Sequence, residues 1–125
     1  MRSIIISIAL CLACVSNCYA NNMKASYYSV ESLKHEGTWK YSHGIMANGK
    51  PFRDEGMTCA AGKQYKLGRK LLITNQDNGK SVVVTVTDRV NKRFYTTRVD
   101  LSRGAFMKLA PLSKGLINVD VDTIK

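Results

Sequence analysis

The sequence predicts a small, mainly β domain, a β-barrel with one short helix. Several short segments alternate apolar and polar residues, "RKLLITN" and "KSVVVTVTD" flank the turn sequence "QDNG", and "RGAFMKLA" alone has helical spacing. Short strands without a repeating strand–helix–strand order are typical of a barrel rather than of a parallel sheet covered by helices. The 125 residues are enough for one domain with one hydrophobic core.

The first twenty residues are predicted to be a secretory signal peptide and not part of that core. "MRSIIISIALCLACVSNCYA" has a basic residue near its start, a long apolar stretch, and the small residue Ala20 at the expected cleavage site. The apolar stretch is too short and too early for a stable membrane span. Lipoprotein processing at Cys14 or Cys18 is the alternative, but neither cysteine has the full pattern of small and aliphatic residues before it. We therefore expect residues 1–20 to be a leader, residues 21–125 to be the domain, and the protein to be exported to the periplasm, the cell envelope or the medium.

The first half of the domain supplies a strand, a loop and a hairpin. "KASYYS" alternates as a half-buried strand does. Residues 30–50 are polar and turn-rich, which predicts a long loop of the kind that often carries function. "GMTCAA" is a short apolar segment. Two strands then form the hairpin, in which Asn78 and Gly79 supply the positive φ angles of a tight turn.

The last third of the chain supplies a loop, a strand, the helix and a final strand. "NKRFYTT" is predicted to be the loop and "RVDLS" the strand. Ser102 is a suitable N-cap for the helix, and Pro111 ends it. Leu101, Ala105 and Leu109 then share one side of the helix. "GLINVDVDTI" alternates as the final strand.

The segment "SVVVTVTDRV" combines a run suited to burial with a charged end. The alternating pattern puts Val82, Val84 and Val86 on one face and Val83 and Thr85 on the other. The strand then runs into Asp88 and Arg89, which point to opposite faces and need not pair with each other. The charged end is either an exposed strand end or a means of delivering Asp88 to a site.

Cysteine usage excludes a disulfide framework within the domain. Three of the four cysteines lie in the predicted leader, so that Cys59 stands alone in the exported chain. Its apolar context, "MTCAA", favours a small buried thiol. A catalytic thiolate would need a positioned base, and nothing in the spacing ties His35 or His43 to it.

The formal charge of +10, or +9 once Arg2 leaves with the leader, favours an anionic partner. Nucleic acid, an anionic membrane face and an acidic wall polymer all qualify, and export makes the wall the simplest. The basic residues are scattered and lack the interleaved aromatic residues of a single-strand groove, so we expect no nucleic-acid partner. The sequence has no metal-ligand spacing, phosphate loop or cofactor motif. We expect a monomer without metal or cofactor.

The order of the motifs resembles the rare lipoprotein A family. The motifs are "ASYYS", "MANGKPF", "MTCAA", "LGRKLLITNQDNGKSVVVTVTDR", "RVDLSRGAFMKLAP" and "GLINVDV", and together they run from Ala25 to Val121. The resemblance implies a six-stranded double-psi β-barrel, the fold of expansins and barwin-like proteins. It also implies a bacterial envelope protein acting on peptidoglycan glycan strands. Characterised members of the family are lytic transglycosylases that cut strands lacking stem peptides.

The resemblance identifies Asp88 as the family's carboxylate at the mouth of the groove. A lytic transglycosylase protonates the glycosidic oxygen, after which the sugar's own 6-hydroxyl closes on the anomeric carbon and leaves a 1,6-anhydro end. One carboxyl group can act as acid and then as base when a low-dielectric groove raises its pKa. A hydrolase would instead need two carboxyls at a set separation and a water.

Two catalytic positions depart from the family pattern, and the family's "DRGP" turn reads "DRVN" here. Lys50 stands where the family has Glu, and an ammonium is a poor acid at neutral pH and stabilises ionised carboxylates nearby. The family's His is also missing, because Ala61 or Gly62 takes its place. If Lys50 lies beside Asp88, it weakens the case for catalysis. Glu36, Asp54, Glu55 and Arg89 are the remaining groove candidates, and Asp100 in "VDLS" is interpreted as a structural carboxylate near the start of the helix.

Three functions remain open at this point. The first is a lytic transglycosylase with altered groove chemistry. The second is a non-catalytic glycan-binding or wall-loosening module that resembles expansins. The third is a secreted effector or inhibitor built on the same barrel.

Overall fold

Six strands close into a barrel in residues 22–37 and 43–124, the part of the chain that the computed structural model describes. The strands are β1 (Asn22–Tyr28), β2 (Thr58–Ala61), β3 (Lys70–Asn75), β4 (Ser81–Arg89), β5 (Arg98–Ser102) and β6 (Ile117–Ile124). Their order around the barrel is β1, β5, β2, β4, β3, β6, so that no strand is left with an unpaired edge. The predicted mainly β, six-stranded barrel is confirmed. The predicted leader lies outside the described residues.

The pairing brings distant parts of the chain together. β1 runs parallel to β5, and β2 runs parallel to β4, whereas the other neighbours are antiparallel. β5 therefore lies between β1 and β2, far from both in sequence. This arrangement places residues from three separate segments side by side on one surface of the barrel.

The predicted hairpin between β3 and β4 is confirmed, but its turn is longer than predicted. The strands end at Asn75 and resume at Ser81. Gly79 has the predicted positive φ, 75°, but Asn78 does not. The side-chain amides of Asn75 and Asn78 both donate to the carbonyl of Leu109, at 3.0 and 2.9 Å. The longer loop thus fastens the hairpin to a distant segment of the chain, at Leu109.

The barrel interior is filled by alternate residues of the strands. Val84 and Val86 are buried and Val82 packs against the core, whereas Val83 is 44% exposed, which confirms the predicted faces of β4. Phe106 is the largest side chain that is fully buried. A smaller second cluster lies outside the barrel and consists of Tyr28, Met46, Phe52 and Ala60, with Val30, Leu33 and Val90 packed against it.

The described residues contain two short α-helices, which corrects the prediction of one. α1 spans Val30–His35, inside the predicted loop, and Ser29 and Ser32 cap it reciprocally. The usual capping signal ends in Glu or Gln. Here Ser32 takes that position, so the sequence pattern did not predict the helix.

The second helix, α2 (Arg103–Met107), begins where predicted but ends earlier. The Ser102 hydroxyl accepts the amide of Ala105 at 3.2 Å, which confirms the predicted N-cap. The helix stops four residues before Pro111.

The predicted loop after β4 contains a 3₁₀ turn, Lys92–Phe94. No helix in the described part of the chain is both long and apolar enough to cross a membrane.

Candidate functional site

A polar groove of about 760 Å³ lies on the outer face of β1, β5, β2 and β4, opposite the core. The second apolar cluster forms one wall, and the segment after β4 forms another. The lining residues are Ser26, Tyr27, Tyr28, Leu33, Glu36, Gly44, Ile45, Met46, Phe52, Ala60, Asp88, Arg89, Val90, Asn91, Arg98 and Asp100. The groove therefore collects most of its ionisable side chains from strands whose other face packs into the hydrophobic core.

Strand register aligns two carboxylates across the floor of the groove. Ser26 of β1 pairs with Asp100 of β5, Asp100 pairs with Ala60 of β2, and Ala60 pairs on its other side with Asp88 of β4. With about 4.8 Å between neighbouring strands, the Cα atoms of Asp88 and Asp100 lie roughly 10 Å apart. The small side chain of Ala60 lies between them and is buried in the second apolar cluster.

A register shift in β4 gives Asp88 its direction. Cys59 pairs with Val86, but the next residue, Ala60, pairs with Asp88, so Thr87 is an extra residue in β4. Without this bulge, Asp88 would point into the barrel as Val86 does. A β-bulge re-aims the side chains that follow it, and here it turns a carboxylate from the core to the groove.

Asp88 is held by backbone donors. Its Oδ1 atom accepts the amide of Ala47 at 3.0 Å and the amide of Arg89 at 2.9 Å. The amide of Asn48 donates to the Thr87 carbonyl at 3.1 Å, which docks the same loop on β4. Both bonds to Asp88 use Oδ1, so Oδ2 is the oxygen that can meet a ligand in the groove.

Asp100 is the site residue whose position the sequence interpretation missed. It does not cap the helix, a role that belongs to Ser102. It faces the groove and accepts the Ser26 hydroxyl at 2.9 Å. Its neighbours in sequence, Val99 and Leu101, are fully buried. This alternation was the available signal, because a strand with both neighbours in the core must present the middle residue outside.

Burial is the largest influence on Asp100 and raises its pKa to about 6. The negative charges of Glu36 and Asp88 raise the pKa further. The hydrogen bond from Ser26 and the positive charge of Arg98 lower it. A carboxyl group with this pKa is half protonated near pH 6, which suits it to donate a proton under mildly acid or neutral conditions.

Tyr28 places a phenol near both carboxylates. Its ring stacks on Phe52, with centroids 4.3 Å apart, and the side chain is buried. Its hydroxyl has no hydrogen-bond partner among the described residues. Burial, followed by the charges of Asp88 and Asp100, raises its pKa far above the usual range. The phenol therefore stays protonated, with its hydroxyl buried next to the groove.

The groove candidates Glu36 and Arg89 do line the groove. Arg89 donates through Nη1 to the carbonyls of Gly62 and Tyr65, at 2.8 and 2.6 Å. Its guanidinium thus fixes the chain after β2. Glu36 lies just past α1 and is exposed.

Three other candidates are not among the groove-lining residues, which corrects their expected positions. Asp54 accepts the amide of Val30 at 2.8 Å at the start of α1, and Glu55 packs beside Gly104 of α2. Lys50 lines a separate pocket of about 450 Å³. The positive φ of Gly49, 85°, reverses the chain there.

Neither position expected for the missing histidine could present an imidazole to the groove. Ala61 is fully buried in the barrel core. A Cβ atom on Gly62 would lie 2.6 Å from the Tyr95 carbonyl oxygen, so no side chain fits. Within residues 22–37 and 43–124, no group of His, Cys, Asp and Glu could hold a metal ion.

Cys59 is a buried free thiol, as predicted. It faces the barrel interior, and burial raises its pKa to about 12. A thiol in this state is not a nucleophile at physiological pH. Catalysis by Cys59 is therefore excluded.

Comparisons with known proteins agree with the fold. The model of a family described as lytic transglycolase matches residues 20–121. An uncharacterised Synechocystis protein is 42% identical over 76 residues, which cover 61% of this chain and 78% of that one. The endolytic peptidoglycan transglycosylase RlpA of Pseudomonas aeruginosa is 40% identical over 107 residues, covering 85% of this chain. The chain spans only 30% of the length of that relative.

Among solved structures, an expansin of Clavibacter michiganensis has a similar fold. The apo form matches with a TM-score of 0.61 at 23% identity, covering 84% of this chain and 50% of the expansin. A mutant of the same expansin, in complex with cellohexaose, matches with a TM-score of 0.60. The family match spans nearly the whole described barrel, and the structural likeness supports its fold. The chain therefore belongs to the lytic transglycolase family and has its double-psi β-barrel fold.

Proposed function

We propose that this chain binds peptidoglycan glycan strands in the groove and cleaves them as a lytic transglycosylase. The observation that carries the proposal is the row formed by Asp100, Ala60 and Asp88, with a carboxyl group on each side of a small residue. One of these carboxyl groups titrates near pH 6. Two carboxyl groups in different environments can divide the acid and base roles between them.

Asp100 is the proton donor in this proposal. It gives its proton to the glycosidic oxygen as the bond to the anomeric carbon breaks. The leaving sugar departs as a neutral alcohol, and Asp100 is left ionised. The Ser26 hydroxyl, at 2.9 Å, then stabilises the carboxylate.

Asp88 is the proton acceptor. The 6-hydroxyl oxygen of the retained sugar forms a bond to the anomeric carbon, and its proton passes to Asp88 Oδ2. No water is consumed, and the product ends in a 1,6-anhydro ring. The two amides on Oδ1 hold the carboxylate in place for this step.

The relatives give this proposal its substrate. The Pseudomonas relative is named as an endolytic peptidoglycan transglycosylase, and the expansin complex contains a glucan oligosaccharide. An open groove of 760 Å³ has room for such a chain.

We further propose that residues 1–20 are a signal peptide cleaved after Ala20 and that the protein works as a monomer in the cell envelope.

A non-catalytic glycan-binding module is the second candidate, and one observation favours it. Lys50 stands at the position where the family resemblance places a Glu, and its side chain lines the neighbouring pocket. The other carboxylates among the described groove-lining residues are Asp100 and the exposed Glu36. A barrel of this kind could hold a glycan without cutting it.

Denuded peptidoglycan sacculi separate the two candidates. The purified protein is incubated with the sacculi, and the soluble products are analysed by mass spectrometry. Cleavage as proposed yields fragments with 1,6-anhydro ends, one water lighter than hydrolysis products. Asp88→Asn and Asp100→Asn should each lower the rate by about 100- to 10,000-fold.

Asp77→Asn, in the exposed hairpin loop, is the matched control and should keep full activity. Retention on sacculi without any anhydro product would favour the binding module. Cleavage that survives both Asp88→Asn and Asp100→Asn would refute the proposed roles.

A further inference from the structure

Arg98 is a cation in the groove that the proposed reaction does not use. It lies on β5 two residues before Asp100, so both side chains stand on the same face of the strand. Both line the groove. The spacing along the strand is about 6.6 Å, which puts the guanidinium beside the sugar that Asp100 would protonate.

The Arg98 guanidinium is held in place by an aromatic ring. Its Cζ atom lies 4.4 Å from the centroid of Phe94. Phe94 sits in the 3₁₀ turn that Asn91 caps by accepting the amide of Arg93 at 3.1 Å. A guanidinium over a ring face is attracted by the ring quadrupole and keeps its donors in one plane.

The positive charge of Arg98 acts on Asp100 through space, but no carboxylate is bonded to it in the described part of the protein. No carboxylate among the described residues forms a hydrogen bond or an ion pair with it. Arg89, the other arginine of the groove, already donates to two backbone carbonyls. Arg98 is thus positioned, charged and available to a ligand.

We propose that Arg98 binds a carboxylate carried by the glycan, on or next to the sugar that Asp100 protonates, and so selects acid-bearing strands over neutral ones. In peptidoglycan this group is the lactyl carboxylate of a muramic sugar without its stem peptide. The planar guanidinium matches a carboxylate through two parallel hydrogen bonds. This inference rests on the proposed function and assigns a specificity residue to it.

Binding at Arg98 would also affect the proton donor. The positive charge of Arg98 lowers the pKa of Asp100, against the effect of burial. A substrate carboxylate on Arg98 compensates that charge, so the pKa of Asp100 rises when the acid-bearing strand is bound. A neutral strand leaves the charge uncompensated and the acid less protonated. Recognition of the strand and protonation of Asp100 are therefore coupled.

Arg93 provides a matched control. Its Cζ atom lies 4.7 Å from the centroid of the same Phe94 ring, but its side chain is exposed and does not line the groove. Arg93→Gln removes one positive charge from the same ring without touching the groove. Arg98→Gln removes the other, and Arg98→Lys keeps the charge but loses the planar fork.

Two glycans of equal length test the proposal: denuded peptidoglycan strands, and the same strands with their lactyl carboxylates chemically reduced to alcohols. Affinity is measured by calorimetry on the Asp88→Asn background, which prevents turnover. We expect the carboxylated strand to bind roughly 10- to 100-fold more tightly, as a charge-assisted pair would give. Arg98→Gln should abolish this preference, Arg98→Lys should keep part of it, and Arg93→Gln should keep all of it.

The pH profile of cleavage provides a second readout. With the reduced strand, Arg98→Gln should shift the loss of activity to higher pH, because the cation that lowers the pKa of Asp100 is gone. Equal affinity for the two strands, or a preference that survives Arg98→Gln, overturns this inference and leaves the proposed function intact. If neither strand is bound or cleaved, the proposed function fails together with it.

Discussion

Val86 and Asp88 lie two residues apart on β4, yet Val86 is fully buried inside the barrel and Asp88 lines the groove outside it. A regular strand would put both on the same face. Thr87 is an extra residue between them and shifts the alternation. The side chain of Asp88 therefore points to the face opposite the one that regular spacing would give. One inserted residue thus separates a surface that stabilises the fold from a surface that can carry out chemistry.

The same division runs through β5 and β2. Leu101 and Cys59 face the interior, and Asp100 and Ala60 face the groove. Burial acts on both sides, since it raises the pKa of the Cys59 thiol to about 12 and that of the Asp100 carboxyl to about 6. Inside the barrel the result is an inert thiol. In the groove the result is an acid that can be protonated near physiological pH.

Deleting Thr87 should have the largest effect, because it removes the bulge itself. A regular β4 would direct Asp88 into the apolar interior, and an unpaired buried charge costs several kcal/mol. We expect the deletion variant to be unfolded or strongly destabilised in thermal and urea denaturation. Thr87→Val keeps the register, and the Thr87 hydroxyl has no partner among the described residues. This control should remain folded, and a deletion variant as stable as Thr87→Val would contradict the role of the bulge.

Truncating a side chain on the inner face should destabilise the barrel substantially. Leu101 is fully buried, and Leu101→Ala should lower the free energy of unfolding by about 2–5 kcal/mol. Val83, on the outer face of β4, is 44% exposed, and Val83→Ala should cost less than about 0.5 kcal/mol. Urea denaturation measures both. Similar losses for the two variants would mean that the inner and outer faces are not distinct.

Asp100→Asn should change the pH dependence of stability. The folded-state pKa of Asp100 is about 6, above the reference value of 3.8, so the folded protein holds more protons than the unfolded chain between these values. Raising the pH from about 4 to about 7 therefore removes stability, by about 3 kcal/mol for a shift of two units. The variant lacks this loss, and Asp77→Asn should retain it. Parallel stability curves for the wild type and Asp100→Asn would show that Asp100 titrates normally.

Salt should have the smallest effect, acting on the exposed charges outside the groove. The formal charge of +10, or +9 without the leader, should hold the protein on anionic sacculi. Retention should fall between about 0.05 and about 0.5 M salt, because exposed charges are screened over about 10 Å at 0.1 M. Sucrose of equal osmolality is the control. Retention that does not depend on salt would make the basic surface incidental and leave the groove as the main contact.

The sequence by itself determined the elements that depend on local pattern. Alternation identified the strands other than β2, which the sequence showed only as a short apolar segment. Asn78 and Gly79 marked the hairpin, and Ser102 marked the start of α2. These features follow from side-chain periodicity and from the φ angles and hydrogen bonds of a few neighbouring residues. The order of the motifs identified the family, because that order survives changes at single positions such as Lys50.

Only the tertiary structure decided which charged residues meet. Asp88 and Asp100 become neighbours because β2 lies between β4 and β5, and that pairing joins residues far apart in sequence. The bulge at Thr87 has no signature in "SVVVTVTDR", since its position depends on the register against β2. Lys50 was expected beside Asp88 and lines another pocket, because the turn at Gly49 reverses the chain before it. Side-chain direction beyond a bulge or a turn is set by contacts with distant strands, so the local sequence cannot fix it.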